Sequence, residues 1–162
     1  MSFTIKGKTI WTHPRTGSTS LYKYFDIPED EKTRHTKIDE DSSDIAVTVR
    51  NPLDLIVSWW KLSNIKSLAN FIEQGNHDQW VQIIAGVETM FYLWEPQCTL
   101  IRYENLVGDL SAFMGEPVFG LPWYNRTPGK DRHWSYYYDH RAFDAAYARF
   151  EWDIETYKGW LS

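Results

Sequence analysis

The sequence predicts an α/β fold of three layers, a parallel sheet with helices on both faces, in one domain over residues 1–162. Three observations lead there. Residues 44–50, "DIAVTVR", are short, β-branched and almost wholly apolar, as a buried parallel strand requires. Residues 51–62, "NPLDLIVSWWKL", follow at once, with Asn51 as helix cap and Pro52 at the first helical position. Strand-like and helix-like segments then keep alternating, the pattern of a parallel sheet with covering helices.

The elements read in order as follows. Residues 8–12 form a short strand, and a helix runs over about 18–25, ending before Pro28. Residues 29–43 are polar and acidic, a loop with room for a short strand around 34–38. After the strand at 44–50, Leu55, Ile56, Trp59 and Leu62 share one face of the next helix. Further helices fit 67–74 and 78–93. A third strand, "QCTLIRYENL" at 97–106, leads into a short helix ending near Gly115. Residues 120–137 hold Gly, Pro, Asn and many aromatics and read as an ordered loop. In the last helix, 139–158, Phe143, Ala146, Tyr147, Phe150, Ile154 and Tyr157 recur at helical spacing.

Composition narrows the function classes. With 162 residues and 43% hydrophobic content the chain can bury a real core. A net charge of −5 argues against a general nucleic-acid coat, so any anion must be met by a local cluster. Cys98 is the single cysteine, which excludes an internal disulfide framework and a cysteine metal cluster. No apolar run approaches the ~18 residues of a membrane span, and no signal-peptide pattern opens the chain. A cytoplasmic location is the expectation.

The stretch "THPRTGSTSLYKYF", residues 12–25, interrupts this pattern with chemistry. A loop that leaves a strand and opens a helix presents backbone N–H groups suited to an anion. Gly17 allows close approach, Ser18, Thr19 and Ser20 offer hydroxyls, and Arg15 brings a permanent charge. A tight turn with a helix cap explains the same residues. The loop is not a Walker motif, which needs a second glycine followed by lysine. Arg50 ends the best strand and Ser58 lies eight residues on, facing the side of Asp54 and Leu55. Taken alone, these are a strand-end charge and a core-edge hydroxyl.

Together, "HPRTGSTSL" and "VRNPLDLIVSWW" resemble the two cofactor motifs of sulfotransferases that use 3′-phosphoadenosine-5′-phosphosulfate (PAPS). "LIRYENLVGDLSAFMGEP" is similar to a later strand-to-helix element of that family. "DRHWSYYYDHRAFDAAYARFEWDIETYKGW" is similar to the C-terminal segment of its carbohydrate-modifying members. The four matches stand in family order from residue 12 to 160.

This resemblance implies a P-loop nucleoside-triphosphate-hydrolase-like sulfotransferase fold and transfer of a sulfuryl group to a hydroxyl acceptor. It implies that Arg15, Thr16, Gly17, Ser18, Thr19 and Ser20 surround the 5′-phosphosulfate. Arg15 stands where many members carry a catalytic lysine; a guanidinium fills the electrostatic role but cannot give up a proton. Arg50 and Ser58 would hold the 3′-phosphate. Lys130 and Arg132, in "RTPGKDRHW", would close over the phosphate or adenine, with Trp134 as a stacking face. A solvated basic loop and a core anchor are the plainer readings of Lys130 and Trp134.

Sulfuryl transfer to a hydroxyl needs a base. His35, in "TRHTKI", lies where histidine-using carbohydrate members carry theirs, and a neutral imidazole suits the task. Glu40 is the fallback, His13 beside the loop the second choice, and His133 and His140 fall near the acceptor. No metal is expected: the histidines form no His-x-x-x-His pair, and residues 39–41 read as a solvated acidic turn.

The aromatic excess, 17% of residues, suits sugar rings that stack on flat side chains, so a carbohydrate acceptor is expected. The chain is short for the family, which implies a pared-down cytoplasmic form; an upstream membrane segment in the native protein would overturn that. Two other readings stay open: a small P-loop kinase dependent on ATP and magnesium, and a non-catalytic module binding 3′,5′-adenosine bisphosphate.

Overall fold

A computed structural model describes residues 2–13, 15–28, 44–74, 98–122 and 127–161. The predicted strand at 34–38, the predicted helix at 78–93, His35, Glu40 and His77 lie outside the described residues. The chain divides into two compact units, one built from the residues up to Arg50 and from 98–122, the other from 51–74 and 127–161.

The first unit is a four-stranded sheet in the order β1–β2–β3–β4. Strand β1 (Ser2–Ile5) pairs antiparallel with β2 (Lys8–Trp11), with Phe3 opposite Ile10. Lys6 and Gly7 both take positive φ, 49° and 77°, which closes a two-residue hairpin whose twist matches its strands. Strand β3 (Ile45–Val49) lies parallel to β2, and β4 (Cys98–Arg102) parallel to β3. The sheet is therefore mixed, which corrects the all-parallel expectation. "SFTIKGKTIW" carries the hairpin signal in two β-prone runs around Lys-Gly.

All five residues of β3 are buried, as a central strand requires. Helix α1 (Ser18–Tyr24) packs through Leu21 and Tyr22 into one apolar cluster with Ile10, Ala46 and Ile101 of the sheet. After β4, a 3-10 turn over Tyr103–Asn105 leads into a further helix, Leu106–Met114, whose Leu106, Leu110 and Phe113 complete that cluster. Arg102 ties this helix back to β4: its guanidinium makes two 2.7 Å bonds to the Asp109 carboxylate, and its amide makes a third of 2.9 Å. Burial alone would raise the Asp109 pKa, but these bonds hold its carboxyl below the usual range.

The second unit is helical. Helix α2 (Pro52–Trp60) is capped as predicted, the Asn51 side chain accepting from the Leu53 amide at 2.9 Å. Helix α3 (Leu68–Gln74) follows; the helix Leu106–Met114 of the first unit is α4, and α5 spans His140–Leu161. Leu53, Ile56 and Val57 of α2, Phe71 and Ile72 of α3, and Ala146, Phe150 and Ile154 of α5 form the unit's apolar core.

Two expectations about this unit change. Helix α5 breaks its geometry at Phe150 (φ −128°, ψ 25°), so the expected single repeat is two helical stretches. Phe143 is 39% exposed and Leu62 48%, while Ala142 is buried. Phe143 instead meets the Tyr147 ring at 4.8 Å and the Tyr138 ring at 6.1 Å. Among the described residues no helix is long and apolar enough to cross a membrane.

Candidate functional site

The three parallel strands β2, β3 and β4 share one C-terminal edge, where such sheets collect their ligands. At that edge of the first unit stand the loop after β2, Arg50 after β3 and Tyr103 after β4.

The loop is shaped by its own hydroxyls. Thr16 Oγ1 donates to the His13 carbonyl at 2.7 Å, and the Thr16 amide reaches the same oxygen at 3.3 Å. The His13 amide in turn donates to Thr16 Oγ1 at 3.2 Å and to Thr48 Oγ1 at 3.3 Å. The Thr16 side chain, 1% exposed, is thus spent on the loop's shape. Arg15 adopts a left-handed φ of 67° and Gly17 one of 90°. A side chain is rarely found in Arg15's conformation, and such residues gather at binding sites. A Cβ on Gly17 would lie 2.9 Å from Leu106 Cδ2, so glycine lets the loop settle against the start of α4.

Arg50 locks the loop from the neighbouring strand. It is 7% exposed, and its Nη1 donates to the Arg15 carbonyl at 2.6 Å. Its guanidinium lies 4.2 Å from the centre of the Tyr103 ring, a cation–π contact. Burial and the Arg50 charge both push the Arg15 pKa below its ordinary value, against a smaller opposing effect of Tyr103. Two guanidiniums that repel each other in a half-buried corner favour any anion that enters. Ser18 and Ser20 are buried and Thr19 half-buried at the start of α1.

In the second unit, α2 carries Asp54 and Ser58 one turn apart, as the sequence predicts. Ser58, fully buried, shares a 2.8 Å hydrogen bond with Thr127. Asp54 forms an ion pair with Lys130, whose side chain is only 15% exposed. The solvated-loop reading of Lys130 is therefore corrected: its charge is sequestered against a carboxylate. Arg132 is exposed, its guanidinium 6.0 Å from the Tyr136 ring. Trp134 packs against the unit's core, which fits the anchor reading. His133 Nδ1 bonds Ser135 Oγ at 2.8 Å and caps the 3-10 turn Trp134–Tyr137; His140, exposed, opens α5.

Sequence reasoning missed Thr48, Tyr103 and Thr127. Thr48 had a signal, a lone hydroxyl in an apolar strand; Tyr103 and Thr127 had none, because their partners are distant in sequence. Among the described residues no group of three or more His, Cys, Asp or Glu could hold a metal ion.

His13 is 8% exposed, and burial lowers its pKa from 6.5 to about 4. The stability gained by keeping this ring neutral is whole above pH ~6.5 and disappears as pH falls toward 4, roughly 3 kcal/mol across that window. In thermal melts between pH 7 and 4, His13→Gln is expected to lose less stability than the wild type. Parallel curves would show that His13 does not titrate this way.

Comparison of the chain with family models, with curated proteins and with solved structures yields no match.

Proposed function

We propose that this chain is a PAPS-dependent sulfotransferase of P-loop-like sulfotransferase fold, acting on a hydroxyl acceptor, in the first instance a carbohydrate. The observation that carries this reading is the Arg15–Arg50 pair, two coupled guanidiniums at the C-terminal edge of the parallel strands. The local residues suit a phosphosulfate: Arg15 supplies charge, Gly17 lets the loop pack against the start of α4, and Ser18, Thr19 and Ser20 open α1 directly after it. The motif resemblance turns this anion site into a PAPS site.

PAPS supplies an activated sulfuryl group. The acceptor oxygen forms a bond to sulfur as sulfur's bond to the bridging oxygen of the 5′-phosphate breaks. Arg15 neutralises charge gathering on that bridging oxygen. His35 accepts the proton of the acceptor hydroxyl. By the motif resemblance, Arg50 takes the 3′-phosphate; the resemblance adds Ser58, whose buried hydroxyl would first have to leave Thr127. Thr16, with its hydroxyl committed to His13 and Thr48, shapes the loop. Lys130 and Arg132 are the further charges assigned to the nucleotide; Lys130 would first have to leave Asp54.

Transfer of labelled sulfate from PAPS to a mixed panel of glycans tests the function. Label is expected to enter the glycan fraction, and His35→Ala is expected to slow entry by 10²-fold or more while bisphosphate binding is kept. Unchanged transfer in His35→Ala would remove that residue as base; no transfer to any glycan, with the bisphosphate still bound, would leave the non-catalytic module.

A further inference from the structure

Two buried hydroxyls, those of Thr16 and Thr48, meet between the loop after β2 and strand β3. A threonine hydroxyl has one proton to give. Thr16 gives its own to the His13 carbonyl, which can only accept, at 2.7 Å. In the bond between the two hydroxyls the proton therefore comes from Thr48. The His13 amide donates to both oxygens, to Thr16 Oγ1 at 3.2 Å and to Thr48 Oγ1 at 3.3 Å. Every proton of this small network is thereby placed, and all of it lies within the first unit.

The network brackets Arg15. A left-handed φ of 67° on a side chain other than glycine persists only where the surroundings over-determine it. Two holds come from the end of β3. Thr48 ties down His13 and Thr16, one on each side of Arg15, and Arg50 Nη1 holds the Arg15 carbonyl at 2.6 Å. Thr48 and Arg50 stand two residues apart, the spacing at which a strand repeats its direction. Thr48 is uncharged and wholly buried, so it acts on a ligand through the loop and not by touching it.

We propose that Thr48 is a positioning residue of the anion site: by donating to Thr16, its hydroxyl keeps Arg15 in the left-handed turn. The inference rests on the sulfotransferase reading, which assigns this loop to the 5′-phosphosulfate, and adds the strand residue that sets the loop's shape. Without the hydroxyl, Thr16 still pairs with both the amide and the carbonyl of His13. No buried polar atom of the network loses its last partner, so the chain stays folded while the loop loses one of its two holds.

The test compares the full chain with Thr48→Val and Thr48→Ser in calorimetric titration with 3′,5′-adenosine bisphosphate and in thermal melts. Valine keeps the branched shape and the strand preference but not the hydroxyl; serine keeps the hydroxyl and gives up a buried methyl. Thr48→Val is expected to bind the bisphosphate about tenfold more weakly than wild type, and Thr48→Ser within about twofold. Thr48→Ser is expected to melt below Thr48→Val, so the order of affinity runs against the order of stability. The Arg15 φ, read from its amide-to-α-proton coupling and carbon shifts, is expected to leave the left-handed region in Thr48→Val and to keep it in Thr48→Ser. Affinity that follows the melting order, wild-type affinity in Thr48→Val, or a left-handed Arg15 retained there overturns the inference and leaves the sulfotransferase reading standing. Failure of the wild type to bind the bisphosphate overturns both.

Discussion

Arg50→Ala is expected to lower affinity for 3′,5′-adenosine bisphosphate by about two orders of magnitude, and that for 5′-AMP far less. Two losses contribute. The guanidinium that meets the 3′-phosphate disappears, and so does its 2.6 Å bond to the Arg15 carbonyl. The second loss loosens the loop for both nucleotides alike, so the 3′-phosphate contact is read from the ratio of the two affinities. Arg50→Lys keeps the charge but loses the planar fork and the stack on Tyr103, and should fall between. Equal weakening of both nucleotides would mean that Arg50 only supports the loop.

Gly17→Ala is expected to destabilise the first unit and remove nucleotide binding together. Two costs add: a φ of 90° that a side chain resists, and a Cβ 2.9 Å from Leu106 Cδ2. About 2–3 kcal/mol is expected, read as a fall in Tm of roughly 5–10 °C. Gly7→Ala separates the costs, because Gly7 has a similar φ of 77° with nothing within 4 Å of an added Cβ. It should cost less and leave binding intact. Equal effects at the two positions would contradict the close packing of the loop on α4.

The elements that sequence made legible are those whose signal is local. "IAVTV" has no polar face to offer, so it reads as a buried strand wherever it lies. The Asn51-Pro52 start of α2 carries its own cap and its own fixed φ. The loop over residues 15–20 is legible as an anion cradle from its glycine, hydroxyls and arginine. What sequence left hidden depends on partners far along the chain. Arg50 reads as a strand-end charge until Tyr103, 53 residues on, turns up beneath its guanidinium. Lys130 reads as solvated until it meets Asp54.

Phe143 fell on the core side of a regular helical repeat, yet in the fold it meets the rings of Tyr138 and Tyr147 and stays partly exposed. Ala142, Ala146, Phe150 and Ile154, four residues apart, form the buried line of α5, and Phe143 stands one position off it. The hairpin before residue 8 is legible in Lys6-Gly7, whereas the alternation of strands and helices by itself points only to a parallel sheet.

The most direct test of the central claim is calorimetric titration of the chain with 3′,5′-adenosine bisphosphate, with 5′-AMP and magnesium ATP as controls. A PAPS enzyme is expected to bind the bisphosphate tightly, one per chain, and to bind 5′-AMP and magnesium ATP at least tenfold more weakly. No binding of the bisphosphate, or a preference for magnesium ATP, would contradict the sulfotransferase account and bring a kinase forward in its place.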